Sequence, residues 1–274
     1  MIMTKVIQKT AILIAFVMLF VNPICAVRPF ITDDAAMSGF KRSELSSWVF
    51  SSKAGTEVWH SANWGFTHWA ELTIAGFWGR SNYEFVDFEG KKTTKKEWSY
   101  TLPLFQAKFL IRDYEPNRWP GITVAVGTDI PWGKGAFVSE GPNAFAFASV
   151  TQCLGEDENL LFHAQIGATY LRNQKTKENL AGFVFGIGTQ VKIFRGFHLI
   201  GEIVNGDPYE HGLGSMYQLG IRQFINNELQ FDLAFGAGIS GETRASTWLT
   251  AGVRYVLSFN QNDQFAANGR RIVN

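Results

Sequence analysis

The stretch Leu229–Ile239 alternates strictly: Leu229, Phe231, Leu233, Phe235, Ala237 and Ile239 fall on one face, and Gln230, Asp232, Ala234, Gly236 and Gly238 on the other. That period of two belongs to an extended strand and is incompatible with an amphipathic helix, whose apolar positions recur every three to four residues. The pattern repeats. Leu249, Ala251, Val253, Tyr255 and Leu257 oppose Trp248, Thr250, Gly252, Arg254 and Val256. Phe162, Ala164, Ile166, Ala168 and Tyr170 oppose His163, Gln165, Gly167 and Thr169, and residues 181–192 do the same with Gly182, Gly186, Gly188 and Gln190 on the second face. A soluble sandwich turns its polar face to water and fills it with Lys and Glu. Here that face is Gly, Gln and Thr, and only 18% of the chain is charged. Such a face suits the interior of a barrel whose aliphatic and aromatic face meets lipid.

The pattern predicts about twelve strands, over 43–52, 56–65, 70–79, 99–112, 121–131, 144–153, 160–171, 180–194, 197–205, 214–225, 228–240 and 246–259. Most have the length of a tilted strand crossing a bilayer. The expected fold is therefore all-β, an antiparallel transmembrane β-barrel. With the first strand starting in the periplasm, the connections 66–69, 113–120, 154–159, 195–196 and 226–227 lie on the inner side. The long ones, 80–98 and 132–143, then lie outside. Trp59, Trp64, Trp69, Trp78, Trp98, Trp119, Trp132, Tyr170, Tyr217, Trp248 and Tyr255 sit near predicted strand ends. They are read as girdles at the two membrane interfaces, against the alternative of core aromatics in a soluble β protein.

The first 26 residues carry an address. A polar start with Lys5 and Lys9 leads into the apolar run Ala11–Val21; Asn22-Pro23 breaks it, and Ala26 offers a small residue for cleavage. The run is too short to anchor the chain as a helix. Its removal leaves 23 basic against 24 acidic residues and Cys153 as the remaining thiol. No disulfide or Cys-built zinc site then follows, and the balanced charge argues against a nucleic-acid partner. The expected organisation is a signal peptide over 1–26, a lead-in or lumen plug over 27–42, a barrel over 43–259 and a polar tail over 260–274. The expected location is a bacterial outer membrane.

The mature N-terminus, Val27-Arg28-Pro29-Phe30-Ile31-Thr32-Asp33-Asp34-Ala35, resembles the Arg-Pro-x-x-Thr-Asp-Asp-Ala opening of an outer-membrane family described as transporters linked to the meta-pathway of phenol degradation. Trp64–Leu72, Pro103–Lys108 and Thr128–Gly133 are similar to further strand-end motifs of that family. The resemblance implies a barrel that passes small molecules, apolar or aromatic ones among them. The chain departs from the common barrel ending: Phe259 is followed by fifteen further residues.

A lipid-facing Arg or Lys near the midplane costs roughly 2–4 kcal/mol, which sends charges inward. The lumen candidates are Glu71, Lys108, Arg112, His163, Gln165, Gln190, Lys192, His198, Glu202, Gln218, Arg222, Asp232 and Arg254. They form either a polar conduit of modest cationic bias or an ion-pair network filling a narrow barrel. Asp33 and Asp34 could dock on Lys108, Arg112, Arg222 or Arg254 and plug the lumen. Lys91, Lys92, Lys95 and Lys96 in the longest loop could meet lipopolysaccharide or stay solvated. No nucleophile elbow, zinc-helix motif or dinucleotide fingerprint occurs, so neither an enzyme nor a cofactor is expected. Channel or transporter is the leading reading. A barrel without transport, structural or surface-interacting, is the alternative, with a lipid-modifying enzyme behind it.

Overall fold

The structure, a computed structural model, describes residues 30–86, 92–135, 137–155, 159–241 and 246–259. The expected signal peptide and the 260–274 tail lie outside the described residues, as do Lys91 and residues 27–29. The strands are β1 (Arg42–Ser52), β2 (Gly55–Gly65), β3 (Ala70–Val86), β4 (Lys92–Arg112), β5 (Gly121–Asp129), β6 (Gly133–Lys134), β7 (Asn143–Leu154), β8 (Leu160–Arg172), β9 (Asn179–Phe194), β10 (Phe197–Asp207), β11 (Glu210–Phe224), β12 (Leu229–Gly238) and β13 (Thr247–Ser258).

Every pairing is antiparallel, and the ladder closes on itself. β1 pairs with β13 from Arg42↔Ser258 to Ser52↔Trp248, and β3 pairs with β4 from Ala70↔Phe109 to Val86↔Lys92. Closure satisfies the backbone N–H and C=O groups that lipid cannot. Twelve strands make the barrel. The thirteenth, β6, adds two residues beside Tyr100 and Thr101 of β4, continuing the place that β5 leaves after Asp129. Pro131 stands in the gap between β5 and β6, where a residue without an N–H cannot continue the ladder.

The alternation in the sequence becomes two surfaces. On β12, Phe231, Leu233 and Phe235 are 44%, 43% and 47% exposed, while Gln230, Asp232 and Ala234 are buried. Ile166, Phe183, Ile187, Ile203, Leu219 and Leu249 continue the exposed apolar band around the wall. Trp64, Trp69 and Trp119 are exposed near the rim where β1 begins, here the first rim. Trp78, Trp98 and Trp132 are exposed toward the opposite rim. Two aromatic levels with an apolar band between them match a membrane-spanning barrel.

Two expectations are corrected. Trp59 and Trp248 are not girdle residues. Trp248 is buried inside the barrel, and Trp59 stacks at 5.6 Å on the buried, inward Trp48. Their phase on the strand decides this, because each alternates with outward neighbours. The segment 80–98 is not a long irregular loop either. β3 runs to Val86 and β4 starts at Lys92, so the sheet continues past Trp78 and Trp98. Arg80, Asn82 and Glu84 on β3 and Thr93–Glu97 on β4 break the apolar column that marks the spanning strands. At the same rim, Lys175 lies 2.8 Å from Glu140 and holds that carboxyl below its ordinary pKa range.

Candidate functional site

The inward columns of the strands differ along the barrel. Toward the first rim they are charged. Arg222 Nε donates to Asp232 Oδ1 at 2.8 Å, and its Nη1 donates to Gln190 Oε1 at 2.9 Å. Arg254 Nη2 lies 2.7 Å from Glu44 Oε2, and its Nη1 donates to Gln230 Oε1 at 3.2 Å. Toward the opposite rim the columns are aromatic and aliphatic. Val204, Met216 and Trp248 cluster with Phe50 and Leu213, and Leu104, Phe145 and Phe147 cluster with Tyr209.

Residues 30–41 precede β1 and run along the charged half of this interior. Ile31 and Thr32 donate their backbone N–H groups to the two carboxylate oxygens of Glu202, both at 2.8 Å. The N–H of Asp33 goes to Gln165 Oε1 (2.6 Å), that of Ala35 to Thr151 Oγ1 (2.8 Å) and that of Ser38 to Glu71 Oε2 (2.7 Å). Lys108 Nζ is 2.9 Å from Asp33 Oδ2 and 3.8 Å from Asp34 Oδ1. The Phe30 ring lies 5.5 Å beneath the Arg222 guanidinium and 5.6 Å from the His163 ring.

Glycines make the bed. A Cβ on Gly186 would collide with Thr32 Oγ1, one on Gly188 would press on the Phe30 ring, and one on Gly65 would strike the carbonyl of Gly39. Gly39 (φ 90°) and Lys41 (φ 56°) then turn the chain out of the interior and into β1.

Above this segment lies a cavity of about 380 Å³. Asp33, Asp34 and Ser38 contribute to its floor, and Trp48, Phe50, Trp59 and Trp248 are among its walls. That volume falls in the range of small-molecule pockets, roughly 300–1,000 Å³.

Of the residues singled out in the sequence, Glu71, Lys108, His163, Gln165, Gln190, His198, Glu202, Gln218, Arg222 and Asp232 are buried on inward columns, and Arg254 is half-buried there. Lys192 is half-buried, in register with His198 near the first rim, away from the cavity. Arg112 is a correction. A register shift between Leu110 and Arg112 inserts one residue into β4 and flips the phase beyond it. Arg112 is therefore exposed, donating to the Pro120 carbonyl at 2.9 Å with its guanidinium over the Trp119 ring. Asp33 and Asp34 meet Lys108 and make no ion pair with Arg222 or Arg254 among the described residues. Glu44, Glu57, Asp207 and Trp48 line the cavity and were missed. Glu44 lies on an alternating strand, Arg42 to Phe50, whose inward column could have revealed it.

Residues 15–256 match the family described as uncharacterised conserved protein UCP029691. The chain belongs to that family. No curated protein matches it. Among solved structures, the COG4313 outer membrane channel from Pseudomonas putida F1 is similar with a TM-score of 0.57 at 10% identity, covering 84% of this chain and 100% of that one. A KdgM porin has a TM-score of 0.53 at 10% identity, covering 79% and 99%. The same porin in complex with disordered oligogalacturonate gives 0.54 at 11% identity, covering 79% and 99%. At these identities the likeness is one of fold: the chain shares the barrel of outer-membrane channels.

Proposed function

We propose that the protein is an outer-membrane channel for small molecules, with its first rim in the periplasm and with residues 30–40 narrowing the lumen. The observation that carries the reading is the cavity of about 380 Å³ enclosed by the barrel wall and floored by residues 33–38. A barrel serving only as a structural post would gain from filling that space with side chains. The similar structures are a channel and a porin, which supports the same reading. Passage is diffusion, with no cofactor, and the N-terminal segment must shift aside to admit a solute. Its hold on the wall is made mainly of backbone N–H groups given to side-chain acceptors. Water can replace those bonds one at a time, so displacement need not break the barrel. The resemblance of residues 27–35 to the phenol-pathway transporters supports solutes with aromatic or apolar bodies, and the aromatic walls suit them.

Single-channel recording of the refolded mature protein in planar bilayers tests this. Discrete current steps that grow when residues 30–40 are deleted are expected. A second reading, a barrel without transport, is favoured by the pairing of Lys108, Arg222 and Arg254 into closed ion pairs. Absence of both current and solute uptake, from the intact and the shortened chain alike, would establish that reading instead.

A further inference from the structure

We infer that the cavity is a binding site for a small organic cation with an aromatic or aliphatic body. The inference builds on the channel reading, which supplies the route by which such a solute reaches the site.

The charge balance of the lining comes first. Among the described residues, the carboxylates Asp33, Asp34, Glu44 and Glu71 border the cavity beside the charged columns. The cations Lys108, Arg222 and Arg254 border it with them. Each cation is already engaged, Lys108 by Asp33, Arg254 by Glu44, and Arg222 by Asp232 and Gln190. An incoming anion therefore meets surplus negative charge and no uncommitted guanidinium or ammonium among the described residues. An incoming cation meets surplus carboxylate, and the Asp34 side chain keeps 41% of its surface open beside Lys108.

The walls add a second, independent attraction. Trp48 and Trp59 stack at 5.6 Å with planes 5° apart, Trp59 meets Phe77 at 4.6 Å, and Phe50 meets Trp248 at 6.0 Å. Indole and phenyl faces are negative at their centres and attract a cation most strongly where water is thin. The apolar body of the same ligand gains by contact with these rings.

A third observation points to a ligand. Thr250, 3% exposed, lines the cavity, and its Oγ1 has no hydrogen-bond partner among the described residues. A buried hydroxyl without a partner carries a desolvation cost that an ammonium N–H or a water held with it relieves. A neutral hydrocarbon in the same space would strip water from carboxylates and from Thr250 without replacing it, which is unfavourable. The chemistry therefore selects the cation over its neutral and anionic counterparts.

Three isosteres separate these cases: phenethylammonium, 2-phenylethanol and phenylacetate, each titrated calorimetrically into the unaltered refolded protein in detergent, with empty micelles subtracted. The expected result is saturable binding of phenethylammonium about tenfold or more tighter than of 2-phenylethanol, with no saturation by phenylacetate. Added salt should weaken the cation alone. Asp34→Asn and Trp59→Leu should each weaken it about threefold or more. Equal binding of the alcohol, or tighter binding of the acid, overturns the inference. This comparison needs no variant, so a variant that fails to fold does not remove the test. Binding without any current in bilayers would sink the channel reading and leave the site. Current without cation preference in the titration would sink the site and leave the channel.

Discussion

Lys108 and Asp33 stand 75 residues apart in the chain, yet Lys108 Nζ lies 2.9 Å from one oxygen of Asp33 and 3.0 Å from the other. The ammonium is almost fully buried in the β4 column, and the carboxylate belongs to a segment with no strand of its own. The contact therefore ties the N-terminal segment to the wall at one point, and it is the segment's direct ion-pair anchor among the described residues.

Removing one partner of such a pair strands the other. Lys108→Met should cost about 3–5 kcal/mol, because Asp33 and Glu71 lose the cation that offsets their burial. Lys108→Met/Asp33→Asn should recover part of that loss, since one stranded charge is gone. Thermal unfolding of the four proteins of the cycle measures the coupling. Additive losses would mean that the two groups do not act as a pair.

A steric route reaches the same segment without touching a charge. Gly186 faces inward on β9, and a side chain there would collide with Thr32 and press on Val204. Gly186→Val should push residues 30–33 off the wall and raise single-channel conductance. Gly201→Ala is the control. Its new Cβ would meet the far end of the outward Leu219 side chain at 3.0 Å and the Gln218 carbonyl oxygen at an ordinary 3.8 Å. Conductance should stay unchanged there, and a conductance for Gly186→Val equal to the unaltered protein would show that the segment does not limit passage.

The barrel was legible because its physics is local. Lipid on one side and a polar interior on the other force a period of two, and strands from Gly121 to Ser258 declare it residue by residue. The interior charges were legible for the same reason: Lys108, Glu202, Arg222 and Asp232 could not face lipid. Arg112 was misjudged because a single bulged residue reverses phase and leaves no mark in composition. The N-terminal segment was only half legible. The sequence offered Asp33 and Asp34 as the groups that would dock. Most of its hydrogen bonds are instead backbone N–H groups received by Glu202, Gln165, Thr151 and Glu71. Backbone donors are the same at every residue, so no pattern announces them. The acidic cavity was missed because Glu44, Glu57 and Asp207 come from β1, β2 and β10, whose neighbourhood around the cavity is fixed only when the barrel closes.

The two faces of β12 give a test of the membrane itself. Leu233 is 43% exposed on the apolar band, with Phe231 and Phe235 beside it. Leu233→Arg should destabilise the barrel by roughly 2–4 kcal/mol in lipid, and Leu233→Phe should cost little. Ala234, next to it, is 2% exposed and faces inward against Gly220. Ala234→Arg should also be damaging, through overpacking in a filled part of the interior. Folding titrations in lipid bilayers and in a short-chain detergent separate the two causes. The lipid penalty should shrink in thin micelles, and the packing penalty should not. Identical behaviour of both variants in the two solvents would refute the assignment of faces.

Orientation is the remaining testable relationship between fold and function, and Cys153 makes the experiment clean. It is fully buried beside Tyr114 and Leu161, so it should not react with a bulky reagent. Once the expected signal peptide and its Cys25 are removed, a cysteine introduced elsewhere becomes the reactive thiol. Lys95, with a side chain 58% exposed, sits on the β3–β4 hairpin that projects past Trp78 and Trp98. Arg118, with a side chain 68% exposed, sits in the turn between β4 and β5 at the first rim. With the first rim in the periplasm, Lys95→Cys should be labelled on intact cells by a membrane-impermeant maleimide. Arg118→Cys should be labelled only after the outer membrane is opened. Each side chain is more than half exposed outside the apolar band, and its ion pair with Glu97 or Glu115 is a surface contact, so neither change should disturb the barrel. The reverse labelling pattern would invert the channel. The cation-attracting cavity would then open toward the periplasm, and residues 30–40 would close the path from outside.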